Sequence, residues 1–255
     1  MPRISANLGF LWTELSLPQA IHTARNAGFD AVECHFPYAV PVASVASALQ
    51  ETGLEMLGIN TRLGVNGAAD FGVMAMPGRE IEARGYVDEA VAYAAQIKCR
   101  NINCVPGKTG GSAEAEAVYR TNLAYACEQA AGHGIGIVIE PINQRDAPGY
   151  HFSLVEQGLD TINAVAAVNL RLMFDCYHTQ IMQGDLTRRL EQALPHVGHV
   201  QFAAGPDRGE PDSGEVNYPY LLAALDDMGW QGFVGAEYKP RGTTDEGLGW
   251  MNAYR

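Results

Sequence analysis

Eight short apolar runs, each followed by a helix-length or turn-rich stretch, restrict this chain to a parallel-sheet α/β fold. The strand-like runs cover 4–8, 31–35, 54–60, 101–105, 136–140, 170–175, 197–202 and 232–238. Helical patterns occupy 17–27, 42–51, 79–96, 113–131, 154–165, 185–193 and 216–228. Ser16 and Ser153 stand where the first and fifth helices begin, and Gly28, Gly53 and Gly229 stand just past helix ends. Eight β/α units in 255 residues match a single (β/α)8 TIM barrel spanning 1–255, with a doubly wound sheet as the alternative. The echo of Gly28-Phe29-Asp30-Ala31-Val32-Glu33 in Gly229-Trp230-Gln231-Gly232-Phe233-Val234 supports a repeated unit. The final helix is expected to be short or irregular: 17 residues follow Tyr238, and Trp250, Met251 and Tyr254 are left to dock a tail.

Strand parity then selects the functional end. Side chains on a strand alternate between faces, and a barrel's chemistry sits at the carboxyl ends of its strands. In Ile135-Gly136-Ile137-Val138-Ile139-Glu140 the isoleucines face the helices and Glu140 faces inward. The same count turns Asp175, Gln201 and Glu237 inward on the next three strands. Buried carboxylates this close raise one another's pKa unless a cation joins them. Oxygen donors without cysteine suit a hard divalent ion such as Mg²⁺ or Mn²⁺ better than Zn²⁺. The bland alternative is a rim of acids paired with Arg145, Arg208 and Lys239. His178, three residues past Asp175 in the expected loop, is placed to meet a substrate oxygen. His199, a layer beneath Gln201, reads as a satisfied core histidine, while Glu33 and His35 share the inward face of the second strand and line the pocket. An anionic substrate needs a cation, and Lys108, Arg145, Arg208, Lys239 and Arg241 all fall in loops at the right end.

The stretches Glu140-Pro141-Ile142-Asn143-Gln144-Arg145, Asp175-Cys176-Tyr177-His178-Thr179-Gln180, His199-Val200-Gln201-Phe202-Ala203 and Gly235-Ala236-Glu237-Tyr238-Lys239-Pro240 resemble the hydroxypyruvate isomerase family. That family includes the 2-oxo-tetronate isomerases and belongs to the xylose isomerase-like TIM barrels. The resemblance covers nearly the whole chain. It implies a divalent metal on Glu140, Asp175, Gln201 and Glu237, proton transfer by Glu140 and Glu237, and aldose-ketose type isomerisation of a small hydroxy-oxo acid through an enediolate. From their positions at the strand ends and in the loops, His178, Arg145, Lys239, Glu33 and His35 are the expected substrate contacts. One departure stands out: Ala203-Ala204 where the family pattern Q-I-A-D has an acid.

Composition narrows the partners. A net charge of -12, from 29 acids against 17 bases, argues against nucleic acid. Five cysteines without a C-x-x-C pair suit buried thiols in a reducing compartment, and the lack of an apolar leader makes the cytoplasm the default. No run approaches a membrane span; a homo-oligomer is compatible with the composition. Gly107-Lys108-Thr109 lacks the first glycine of a phosphate loop, and no lysine lies within a strand to form a Schiff base. A metal-free glycosidase using Glu140 and Glu237, a ketose 3-epimerase, and a non-catalytic sugar-acid binding barrel remain as alternatives.

Overall fold

The computed structural model describes residues 3–254. Nine parallel strands form one sheet: β1 (Arg3–Asn7), β2 (Ala31–Glu33), β3 (Glu55–Met56), β4 (Gly58–Asn60), β5 (Asn101–Asn103), β6 (Gly136–Ile139), β7 (Leu170–Asp175), β8 (Val197–Phe202) and β9 (Phe233–Ala236). The order is β3-β2-β1-β9-β8-β7-β6-β5-β4. Only Leu57 separates β3 from β4, so the two are halves of one stave. Leu57 donates its N–H to Val32 O at 2.8 Å, and Leu57 O accepts from Asn101 N at 3.1 Å. Cys34 N donates to Gly58 O at 3.1 Å. Backbone bonding therefore passes from β2 through this stave to β5 and closes the ring, giving the eight-stave barrel and excluding the doubly wound sheet.

The helices between strands are α1 (Leu17–Ala27), α2 (Val42–Thr52), α3 (Glu80–Ile97), α4 (Ala113–Ala131), α5 (Val155–Val165), α6 (Cys176–Met182), α7 (Leu186–Ala193), α8 (Tyr218–Asp227) and α9 (Thr244–Gly247). Two sequence expectations need correction here. Ser153 does not cap α5; Gln157 accepts from the backbone N–H of Ser153 and Leu154 instead. The stretch after β7 is the extra helix α6 rather than a loop, because the Asp175 carboxylate accepts from Tyr177 N and His178 N and so satisfies its first turn.

Parity is realised in the core. Ile137, Ile139, Leu172, Phe174, Val200, Phe202, Val234 and Ala236 all face the helices and are buried. At roughly 1.5–3 kcal/mol per fully buried large aliphatic or aromatic side chain, this layer is a principal source of stability. Sheltered polar residues, among them Ser5, Glu33, His199 and Gln201, fill the barrel interior. The tail closes as a 3₁₀ segment, Leu248–Tyr254. Trp250 anchors it edge-on against Phe29, Phe202 and Tyr238, and its Nε1 donates to Tyr238 OH at 3.1 Å. All five cysteines are buried free thiols. No helix among the described residues is long and apolar enough to cross a membrane.

Candidate active site

The carboxyl ends of β6 to β9 bring Glu140, Asp175, Gln201 and Glu237 together, all of them buried; Glu140 and Glu237 line the cavity, and Asp175 and Gln201 do not reach its lining. Asp175 and Gln201 are register partners across β7 and β8, and Gln201 pairs with Gly235 on β9, two residues before Glu237. One ligand atom each from Glu140, Asp175, His178 and Glu237 lies within 4.8 Å of the others.

Glu140, Asp175 and Gln201 are each held by one end, and Glu237 by both. Asn103 Nδ2 donates to Glu140 Oε2 at 3.2 Å. Asp175 Oδ1 accepts the two α6 N–H groups. Gln201 Nε2 donates to Glu33 Oε2 at 2.8 Å. Glu237 Oε1 accepts from Asn7 Nδ2 at 2.8 Å and lies 2.9 Å from His35 Nε2. The other ends of the first three, Glu140 Oε1, Asp175 Oδ2 and Gln201 Oε1, have no hydrogen-bond donor among the described residues although they are buried. Such orphaned oxygens are costly and call for an unseen partner. Glu237 Oε2 meets the Arg208 guanidinium at 2.5 Å. Three unpaired hard oxygens beside the Arg208-paired Glu237 carboxylate form a donor set whose chemistry fits Mg²⁺ or Mn²⁺.

The electrostatics separate the acids. Burial, then Glu237 and Asp175, push the Glu140 carboxyl well above the usual range. Burial pushes Asp175 up to about 7, against Arg208 and with Glu237. Burial opposes ionisation of Glu237 too, but Arg208 and His35 outweigh it and hold that carboxyl at about 2. His178 is driven down to about 3 by burial and then by Arg208. Asn143 Nδ2 lies 2.7 Å from its Nδ1, which makes Nδ1 the acceptor and leaves the Nε2–H directed at Glu140 and Asp175, 3.7 Å from an oxygen of each.

A cavity of about 330 Å³ opens above this cluster, walled by Phe10, Phe36, Leu63, Phe71, Val105 and Ile142 and carrying His35, Asn60, Asn103, His178, Arg208 and Lys239 as its polar groups besides the acids. Two expected substrate contacts are not there. Glu33 lies beneath the floor, bonded to Ser5 Oγ, His199 Nε2 and Gln201 Nε2. Arg145 is outside the lining, where it donates to Tyr177 OH at 2.9 Å and to Pro206 O. His199 is satisfied by Glu33 at 3.0 Å. Among the remaining cations, Lys108 donates to Ala68 O and Arg241 pairs with Glu210 and Asp212, so Arg208 and Lys239 are the two that line the cavity. Arg208 is held in place between the Phe10 and Tyr177 rings, 4.8 and 5.2 Å from their centroids. Sequence reasoning missed Asn7 and Asn103. The signal was available in the alternation of Ser5 with Asn7 on β1 and of Asn101 with Asn103 on β5.

A family profile described as the xylose isomerase-like TIM barrel matches residues 21–254. The 2-oxo-tetronate isomerase of Cupriavidus necator is 40% identical, over 100% of this chain and 99% of its own. The hydroxypyruvate isomerase of Escherichia coli is 39% identical over 100% of both chains. Among solved structures, one from Brucella melitensis described as an AP endonuclease of family 2 superposes with a TM-score of 0.96 at 39% identity, covering 100% of both chains. Full-length identity at this level, on a barrel whose strand ends carry the expected acids, means that the chain belongs to the hydroxypyruvate isomerase family of the xylose isomerase-like TIM barrels, a family of isomerases.

Proposed function

We propose that this protein isomerises a small hydroxy-oxo acid of the hydroxypyruvate or 2-oxo-tetronate kind, with Glu140 and Glu237 carrying the proton and Mg²⁺ or Mn²⁺ held by Glu140, Asp175, Gln201 and Glu237. The observation that carries the reading is the set of orphaned oxygens, Glu140 Oε1, Asp175 Oδ2 and Gln201 Oε1, on three successive staves beside Glu237. When bound, the ion supplies concentrated positive charge beside the substrate's carbonyl and hydroxyl oxygens, which acidifies the intervening C–H.

The chain's own residues do the rest. Glu140 and Glu237 stand three staves apart in the ring of eight and face the cavity from either side. One takes the proton from carbon and the other returns it to the neighbouring carbon. Asn7 and His35 fix the Glu237 carboxylate, and Asn103 fixes Glu140. The His178 Nε2–H donates to a substrate oxygen. Lys239, at the mouth, and Arg208, at the floor, receive the substrate carboxylate. The apolar wall of Phe10, Phe36 and Phe71 excludes water from the reacting carbons.

A duplex-DNA substrate, suggested by the description of the Brucella structure, is disfavoured by 29 acids against 17 bases. The test is turnover of hydroxypyruvate and of 2-oxo-tetronate in deuterated buffer, before and after EDTA and with Mn²⁺ restored. The reading requires conversion of at least one acid, loss on chelation and recovery with Mn²⁺. Undiminished turnover in EDTA would remove the metal from it, and conversion of neither acid would remove the reaction.

A further inference from the structure

Beneath the acids lies a second buried group that the proposed reaction does not use directly. Glu33, at the end of β2, is 2% exposed and receives three side-chain donors from other staves: Ser5 Oγ at 2.9 Å on Oε1, and Gln201 Nε2 at 2.8 Å and His199 Nε2 at 3.0 Å on Oε2. Its carboxylate crosses β1 to reach them and fills the space over Gly235. A Cβ built on Gly235 would overlap Glu33 Oε1 and come within 3.0 Å of His199 Nε2. Gly235 has no left-handed φ, so space is what this position requires.

A glutamine amide has two ends of nearly the same shape and opposite hydrogen-bonding character. A carboxylate has no proton to give to an amide oxygen. Anchoring Gln201 by its NH₂ on Glu33 therefore turns Oε1, which has no donor among the described residues, away from Glu33. In the flipped orientation the amide would set oxygen against carboxylate below and N–H against a cation above, unfavourable at both ends.

We propose that Glu33 is a positioning residue that fixes the amide orientation of Gln201, so that Gln201 presents an oxygen donor to a divalent cation, and that Gly235 provides the room for it. This rests on the metal reading above, and the test separates the two. Mn²⁺ binding to chelator-stripped protein is measured directly, from the loss of the free-ion electron paramagnetic resonance signal. Wild type is expected to bind one ion. Glu33→Gln places a second amide against the first and is expected to weaken binding about 10- to 100-fold, the range for lost outer contacts. The double variant Glu33→Gln with Gln201→Glu exchanges carboxylate and amide, restores one donor–acceptor pair between the two positions, and is expected to recover most of the affinity.

If wild type binds no Mn²⁺, both readings fall. If wild type binds and Glu33→Gln binds equally well, the positioning role alone falls. Weakened binding that the exchange does not restore assigns Glu33 a general structural role and also overturns it. Should Glu33→Gln not fold, Gly235→Ala carries the same test by crowding the Glu33 carboxylate while leaving Gln201 intact: full Mn²⁺ affinity in that variant refutes the proposal.

Discussion

Replacing Asp175 by Asn isolates the electrostatics of the candidate ion site, because it keeps the side chain's shape and its cap. An asparagine oxygen still accepts from Tyr177 N and His178 N, the bonds that open α6, and asparagine caps helices as well as aspartate does. What disappears is a buried charge. Burial, opposed by Arg208 and reinforced by Glu237, pushes the Asp175 carboxyl from an ordinary 3.8 up to about 7. Between those values the folded protein holds a proton that the unfolded chain has released. The penalty in metal-free protein is therefore absent below about 3.8, grows as pH rises, and is complete above about 7. At ~1.4 kcal/mol per unit this approaches roughly 4 kcal/mol, or on the order of 10 °C in Tm for a chain of this size. Chelator-stripped Asp175→Asn is expected to melt above stripped wild type at pH 8, with the gap narrowing steadily toward pH 5. With Mn²⁺ at about 100 times Kd, wild type should gain about 2.7 kcal/mol and the variant far less. Differential scanning calorimetry at both pH values, with and without Mn²⁺, reads all four states. A variant that melts below stripped wild type by the same margin at pH 8 and pH 5 would refute the reasoning, since the carboxylate would then contribute by shape and not by charge.

Three further outcomes follow from the same geometry. On the proposed mechanism, Glu140→Gln and Glu237→Gln should each lower kcat by at least about 10²-fold while leaving far-ultraviolet circular dichroism unchanged, because each would remove a proposed proton carrier without changing shape; ordinary turnover in either variant withdraws its assignment. Lys239→Met should raise KM with little change in kcat and Arg145→Met should change neither, since Lys239 lines the cavity and Arg145 does not; an unchanged KM for Lys239→Met would clear it of carboxylate binding. On the outer layer, burial disfavours the Glu116 charge, but hydrogen bonds from His151, Thr161 and Arg120 hold it at about 2, below the ordinary 4.5. Its contribution, about 3 kcal/mol at most, is complete above 4.5 and is lost as pH falls through about 2. Urea midpoints should therefore separate wild type from Glu116→Gln at pH 7 and draw together at pH 3; equal midpoints at pH 7 contradict this.

What the sequence made legible is what the backbone determines locally. A two-residue period told which of Ile139 and Glu140 faces the helices, and the same count oriented Asp175, Gln201 and Glu237. Helix-ending glycines such as Gly28 and Gly53 were legible because their left-handed φ values, 92° and 70°, suit few other residues. The break at Leu57 was not legible, since a run of apolar residues does not reveal where its backbone partner changes from β2 to β5. Nor was α6, whose helical start depends on an acid that also reads as a strand end.

The larger omission concerns partners. Glu33 meets Gln201 across 168 positions of sequence, and Asn7 meets Glu237 across 230. Periodicity states that each of these points inward, but only the stagger of the closed barrel decides which inward residues share a layer. That is why Glu33 and His35, two residues apart on one face, take different places: His35 reaches the cavity beside Glu237, while Glu33 is drawn below it into the gap over Gly235. Arg208 makes the same point for charge. Among five loop cations nothing in its neighbours Asp207 and Gly209 marks it, yet the rings of Phe10 and Tyr177, from the first and sixth units of the barrel, direct it onto Glu237. A side chain's direction is thus written in its own strand, whereas its role is set by the strands that close over it.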